Sequence, residues 1–316
     1  MPQLGTSGLD VSTLCLGTNV FGWTADEAAS HDVLDAYVGG GGNFFDTADV
    51  YSAWVPGNDG GDSEAIIGSW LARNAARRDD LVVATKVSQL APNKGLGRDA
   101  ILAGAEASLA RLQTDRIDLY WAHYDDPETD LEETLSAFGE LIDAGKVRAI
   151  GASNYSAARL AEALALSDRK GLPKYVALQP HYNLVDRDDY EATLAPVVAE
   201  HDIAVVPYYG LAMGFLTGKY RPGGDAVDSP RAGSAAKYLE RPDAVAALEA
   251  AEAIANTRGV SIATVALAWL AAQPHVASPI ASARTVDQLA DLLPVNALSL
   301  TDTELAQLSS ATADAA

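Results

Sequence analysis

The chain alternates between short, continuous apolar runs and longer stretches in which apolar positions recur every three or four residues. The short runs are 14–17, 43–46, 81–86, 117–121, 147–151, 175–179, 203–207 and 276–280. Apolar runs of this length predict strands buried on both faces, as in a parallel sheet. Between them, helical patterns cover 26–38, 63–74, 99–112, 131–144, 156–166 and 189–200. Leu160 and Leu164 share a helical face, and Asp99 and Ser156 are predicted N-caps. Eight strands, each followed by a helix, predict an α/β chain closed as a (β/α)8 TIM barrel.

Three segments stand outside that repeat. Residues 4–12, with Ser7-Gly8 as the turn, predict an N-terminal β-hairpin ahead of the first barrel strand. Residues 208–242 form a long, Gly- and Pro-rich loop after strand seven, and loops of that length are usually functional or disordered. An extra helix is predicted over 245–255, followed by a barrel helix at 262–272 and a C-terminal helix at 302–308. No linker divides residues 1–316, so one barrel domain is expected.

Composition narrows the function. With 316 residues, 48% of them hydrophobic, the chain can bury one large core. It lacks the roughly 20-residue apolar stretch of a membrane span. Met1-Pro2-Gln3-Leu4 has no basic segment leading into an apolar run, and a cytoplasmic address is expected. Twenty-two basic against 43 acidic residues give a net charge of −21, which argues against nucleic-acid and anionic-membrane partners. The single cysteine, Cys15, sits between Leu14 and Leu16 and reads as a core residue. Residues 39–42 lack the lysine and following helix of a P-loop and read as a helix C-cap and turn. The histidines at 31, 123, 181, 201 and 275 show no paired ligand spacing, so no metal is expected.

In a barrel of this kind, chemistry gathers where strands end, on the C-terminal face. Strand two runs into Asp46 and Tyr51, strand three ends at Lys86, and strand four leads to His123. These four types suit hydride addition to a carbonyl. A phenol can protonate the developing alkoxide, and a nearby ammonium is expected to lower its pKa. Asp46 can pair with Lys86, and His123 can polarise the carbonyl oxygen. A lone histidine is more often structural than catalytic, but register with three other strand-end groups points to catalysis. A Schiff-base role for Lys86, as in barrel aldolases, conflicts with a neighbouring carboxylate that keeps it charged.

Several segments carry a family likeness: Phe45-Asp46-Thr47-Ala48 with Tyr51, Ser63-Glu64 with Gly68, and Gly145-Lys146-Val147-Arg148 before Gly151-Ala152-Ser153-Asn154. Gln179-Pro180 with Tyr182-Asn183, and Gly214-Phe215-Leu216-Thr217-Gly218-Lys219, extend it along the chain. In these segments the sequence resembles the aldo-keto reductase superfamily, in particular its bacterial and channel-β-subunit-like branch. The resemblance implies reduction of a small-molecule carbonyl substrate with Tyr51 as general acid, tuned by Lys86 and Asp46. It implies that Ser153, Asn154 and Gln179 hold the nicotinamide carboxamide and that Tyr208 stacks on the ring. Gly17, Thr18 and Asn19 would border the same pocket, with Leu211, Gly214, Leu216 and Lys219 along the cofactor. By the same resemblance Ser282, Arg284, Gln288 and Asp291 fall in the segment that grips the adenosine end; Arg284 and Gln288 fit a phosphate contact and favour NADPH over NADH, and Asp291 fits a contact to adenine. Ala281-Ser282 and Leu292 depart from the commoner residues there, and Tyr209-Gly210 from those that follow the stacking tyrosine.

Trp23 and Trp54 are candidate substrate walls, and the Gly-rich, acidic insert 51–62 suggests polar substrates. A different class of protein is also compatible with the resemblance: a regulatory subunit that binds nucleotide with little turnover.

Overall fold

The first apolar run becomes β1 (Cys15–Gly17), followed by α1 (Glu27–Gly39), β2 (Phe44–Asp46), α2 (Asp62–Arg73), β3 (Val82–Val87), α3 (Arg98–Leu112) and β4 (Ile117–Ala122). The alternation continues through α4 (Leu131–Asp143), β5 (Val147–Ser153), α5 (Ala157–Lys170), β6 (Tyr175–Gln179), α6 (Ala195–His201) and β7 (Ala204–Val205). The last part holds α7 (Ala232–Ala236), α8 (Pro242–Arg258), α9 (Ile262–Ala271), β8 (Ile280–Ala281), α10 (Val286–Ala290) and α11 (Asp302–Ala311). The computed structural model describes residues 1–221, 223–224 and 227–312.

All paired strands are parallel, in the order β7-β6-β5-β4-β3-β2-β1-β8. The two ends of that sheet meet. Val205 of β7 bridges Val276, Ala277 donates to Val205 O at 2.9 Å, and Ile280 donates to Pro207 O at 2.9 Å. The sheet therefore closes as a (β/α)8 barrel with helices outside.

Four local expectations change. The eighth strand is not 276–280: Pro279 has no N–H for a ladder, so Val276 makes a single bridge and β8 starts at Ile280. The N-terminal segment pairs only through a Gln3–Asp10 bridge, with Leu4 N–H on Leu9 O and Val11 N–H on Pro2 O. Its Leu4, Leu9 and Val11 are buried and belong to the same cluster as the inward residues Phe44, Val82 and Leu119. Asp99 does not cap α3. Gly97 holds that position, and Asp99 lies in the first turn, where its charge suits the helix dipole. The 189–200 pattern opens with a wide turn at Tyr190–Leu194, because Pro196 cannot donate to the carbonyl four residues back. Ser156 does cap α5, accepting from Arg159 N at 3.2 Å.

The 208–242 connection is not structureless. It folds into a tight turn at Ala212–Thr217, then α7 and the turn Lys237–Glu240, while residues 222, 225 and 226 lie outside the described residues. Among the described residues, no single helix is long and apolar enough to cross a membrane.

Inside the barrel, Cys15, Phe44, Ala84, Leu119, Trp121 and Ala177 belong to one apolar cluster. Burial pushes the Cys15 thiol well above its usual range, as befits a core residue. The helices α2 and α3 cross closely at Gly68, where an added Cβ would meet Arg111 O at 2.0 Å. Gly68→Ala is therefore expected to lower stability by about 1–3 kcal/mol. Urea denaturation monitored by circular dichroism measures this, and an unchanged midpoint would refute it.

Candidate active site

The registers of the central strands bring their C-terminal residues to one level. Asp46 pairs with Gly17 on one side and Ala84 on the other, and Ser153 pairs with Gln179. Just above that level, Lys86 is fully buried at the end of β3. Its ammonium donates to Asp46 Oδ2 at 2.5 Å, to Thr47 O at 2.8 Å and to the Tyr51 hydroxyl oxygen at 2.8 Å. All three of its protons are thus engaged. Burial by itself would lower the Lys86 pKa, but Asp46 and Tyr51 outweigh it and the ammonium is held more firmly than in water. The second Asp46 oxygen, Oδ1, accepts from Gln179 Nε2 at 3.0 Å.

Tyr51 departs from the expected lowered pKa. Burial pushes it up to about 12, against the pull of Lys86. The physical reason is first the burial of the phenol, which penalises a phenolate, and then the Asp46 charge, which works against the Lys86 ammonium. Because Lys86 donates to the phenol oxygen, the phenol's own proton is left free to donate elsewhere. His123 lies edge-on to the Tyr51 ring, with centroids 6.2 Å apart. Burial, reinforced by Lys86, holds its pKa well below the usual value, so the imidazole is neutral and Nδ1 has no partner.

A cavity of about 700 Å³ opens above these groups. Asp46, Tyr51 and His123 line it, whereas Lys86 sits behind them. On one side lie Ser153, Asn154, Gln179 and Tyr208. Ser153 Oγ donates to Gln179 O at 3.0 Å, Asn154 Nδ2 to His123 O at 2.9 Å, and the Tyr208 hydroxyl to Asn154 Oδ1 at 2.9 Å. Tyr208 also stacks on His181, with centroids 5.5 Å apart and planes 16° from parallel. Gly17 and Asn19 line the opposite side, but Thr18 does not: its hydroxyl is buried on Asp46 O at 3.0 Å.

A longer arm of the cavity follows the loop after β7. Leu211, Gly214 and Lys219 line it, while Leu216 is buried in the core beneath. Tyr209, Ala212 and Met213 all adopt positive φ here, a strained run of the kind that gathers at ligand-facing loops. Ser282, Arg284, Gln288 and Asp291 line the far end. There Ser282 Oγ donates to Asn19 Oδ1 at 2.9 Å, and Gln288 Oε1 accepts from Arg284 N at 3.0 Å. Lys219 is held below its usual pKa by burial and by the charges of Arg284 and Arg231, so three cations share this arm.

Sequence reasoning did not single out Arg231, Gln89 or Tyr124, all of which line the cavity. Arg231 comes from the long loop and stands over the Trp23 and Tyr209 rings, at 5.8 Å and 5.9 Å. A cation in a Gly- and Pro-rich loop between the last two strands was the available signal. Gln89 and Tyr124 each lie two residues past the ends of β3 and β4 and could have been found by reading slightly further. Trp23 and Trp54 meet edge-to-face at 5.6 Å, and Trp54 also packs against Tyr51. The 51–62 insert thus gives the cavity an aromatic wall through Tyr51 and Trp54, and its three glycines lie outside the lining.

A closed parallel barrel whose strand ends gather Asp, Tyr, Lys and His beneath a long cavity has the architecture of a barrel oxidoreductase. A profile of the Aldo/keto reductase family matches residues 13–313. A probable voltage-gated potassium channel subunit beta of Arabidopsis thaliana is 36% identical over 295 residues, covering 91% of this chain and 88% of its own. The uncharacterized oxidoreductase YrpG of Bacillus subtilis is 36% identical over 309 residues, covering 94% and 91%. Protein tas of Escherichia coli is 34% identical, covering 96% and 94%. The chain belongs to the aldo/keto reductase family.

Proposed function

We propose that the protein reduces aldehydes or ketones to alcohols, using NADPH, with Tyr51 as the general acid. The observation that carries this reading is the buried Lys86 ammonium, bonded at once to Asp46, Thr47 and Tyr51. The cavity is long enough to have separate ends, with amide and hydroxyl groups at the Tyr208 end and cations at the Arg284 end, a donor set that suits a nicotinamide dinucleotide. When bound, the reduced nicotinamide supplies the hydride. Ser153, Asn154 and Gln179 would hold its carboxamide, and Tyr208 would fix which ring face meets the substrate.

The remaining work falls to the tetrad. Tyr51 delivers its proton to the developing alkoxide, and Lys86 stabilises the phenolate left behind. Asp46 keeps Lys86 in place and charged. His123, neutral, donates to the carbonyl oxygen and orients it. Trp23 and Trp54 wall the substrate end. Residues 1–316 would act as one domain, in the cytoplasm.

Lys219 and Arg284 favour the 2′-phosphate of NADPH over the bare ribose of NADH, although NADH could still serve. Arg284→Ala is expected to weaken NADPH binding by about 10- to 100-fold, the range of a lost charge-assisted hydrogen bond, and NADH binding far less. Fluorescence titration of both nucleotides checks this. Equal loss for both would place Arg284 on phosphates they share.

The reading as a whole is tested by turnover of the purified protein with each nucleotide on aromatic aldehydes, dicarbonyls and aldoses. Relatives named as channel subunits motivate a second reading, a nucleotide-binding regulatory subunit. Tight nucleotide binding with no turnover on any carbonyl would favour that reading over the reductase.

A further inference from the structure

Behind the tetrad, between the strands and helices α2 and α3, lies a group of ionisable side chains that the proposed reaction does not use. Asp49 is only 2% exposed, and its Oδ1 has no hydrogen-bond partner. Four groups face it: Glu64 from α2, Arg111 from α3, Lys86 from β3 and Tyr120 from β4. Glu64 is fully buried and already engaged, accepting from the Thr85 hydroxyl at 2.5 Å and from Arg111 Nε at 2.6 Å. The Tyr120 hydroxyl is buried without a partner.

The charges do not balance if every carboxyl here is ionised. Lys86 is taken by Asp46 and Arg111 by Glu64, which leaves Asp49 as a third carboxyl beside two cations. A buried, unpaired carboxylate is costly enough that holding a proton is the cheaper state. Burial, helped by the Glu64 charge, accordingly pushes Asp49 up to about 7, against the opposing pull of Arg111 and Lys86.

Asp49 is also built into the turn that presents the general acid. Its N–H donates to Lys86 O at 3.3 Å, and Tyr51 N–H closes the turn on Ala48 O at 3.2 Å. Once Asp49 releases its proton to solvent, its charge competes with Asp46 for Lys86 and with Glu64 for Arg111. A shift of Lys86 would move the group that donates to Tyr51.

We propose that Asp49 is a positioning residue that must stay uncharged for its turn to hold Tyr51 against Lys86, so that its ionisation limits reduction on the alkaline side. The proposal rests on the reductase reading.

Its test is the pH dependence of kcat, with NADPH and an aromatic aldehyde, for the wild type, Asp49→Asn and Glu64→Gln. The wild type is expected to lose rate through an inflection near pH 7, which Asp49→Asn removes. Glu64→Gln takes away a repelling charge and frees Arg111, so the inflection should move to lower pH.

Thermal unfolding of the cofactor-free protein gives a second readout. A carboxyl whose pKa is raised by folding contributes stability that is full below its unfolded value, about 3.9, and is lost as pH rises through its folded value. The wild-type Tm should therefore fall relative to that of Asp49→Asn as pH rises from about 4 to about 7, the window between the unfolded and folded values, and level off above it. Turnover with the inflection unmoved in Asp49→Asn, or Tm curves that run parallel, would overturn the proposal and leave the reductase reading standing. If Asp49→Asn does not fold, an unmoved inflection in Glu64→Gln overturns it equally. No turnover on any carbonyl would overturn both.

Discussion

Tyr51→Phe is expected to lower kcat for carbonyl reduction by about 10²–10⁴-fold, the usual contribution of a positioned general acid. The change removes the phenol oxygen that accepts from Lys86 at 2.8 Å, together with the proton that would reach the alkoxide. It leaves the ring, and hence its packing against Trp54 and His123, in place. Nucleotide affinity should change little, because the proposed carboxamide and phosphate contacts lie elsewhere in the cavity. Single-turnover loss of NADPH absorbance, paired with nucleotide titration, separates the two effects. His123 is the competing acid, but its pKa is held well below the usual value, and a neutral imidazole is a poor proton source. A rate retained in Tyr51→Phe would transfer the role to His123.

The largest stability effect is expected at Lys86. Lys86→Met leaves the Asp46 carboxylate 2% exposed and without its cation. Removing one partner of a buried pair costs about 3–5 kcal/mol, mainly because the other charge is stranded. The loss should be smaller when Asp46→Asn is already present, since no charge is then left alone. Urea denaturation of the two single variants and the double variant gives the coupling directly. Additive losses would mean that the pair contributes no more than its separate packing. Activity should vanish in both Lys86 variants, because Tyr51 loses the group that stabilises its phenolate.

Both effects follow from residues that could be read in the chain before any fold was known. Parallel strands buried on both faces leave continuous apolar runs, so the alternation survives in the sequence even where strands are two or three residues long. The ends of those runs name Asp46 and Lys86 directly, and His123 and Tyr51 follow within a few residues. Less legible was anything that depends on prolines interrupting a pattern. Pro279 displaces β8, and Pro196 widens the start of the sixth helix, although the apolar spacing is regular through both.

Electrostatic outcomes were harder still. That Lys86 would lie near Tyr51 was readable, but burial of the phenol outweighs the ammonium, and depth cannot be read from neighbouring residues. Asp49, between Asp46 and Tyr51, carries no signal of its own in the sequence. Its unpaired state depends on Glu64 and Arg111, which come from two different helices. Arg231 reaches the cavity from a loop whose course no periodicity encodes.

The seam where the barrel closes bears on how the protein is made. β1 lies near the start of the chain and pairs with β8, and Leu14 N–H is held by Asn296 Oδ1, 282 positions away. Ser278 Oγ likewise bonds Ser12 O across 266 positions. A ribosome releases the chain from the N-terminal end, so β1 emerges well before the β8 strand that closes the sheet on it. During that interval β1 and, once formed, β7 present unpaired strand edges. The nascent barrel is therefore most open to chaperones, and most prone to self-association, just before its last strand leaves the exit tunnel.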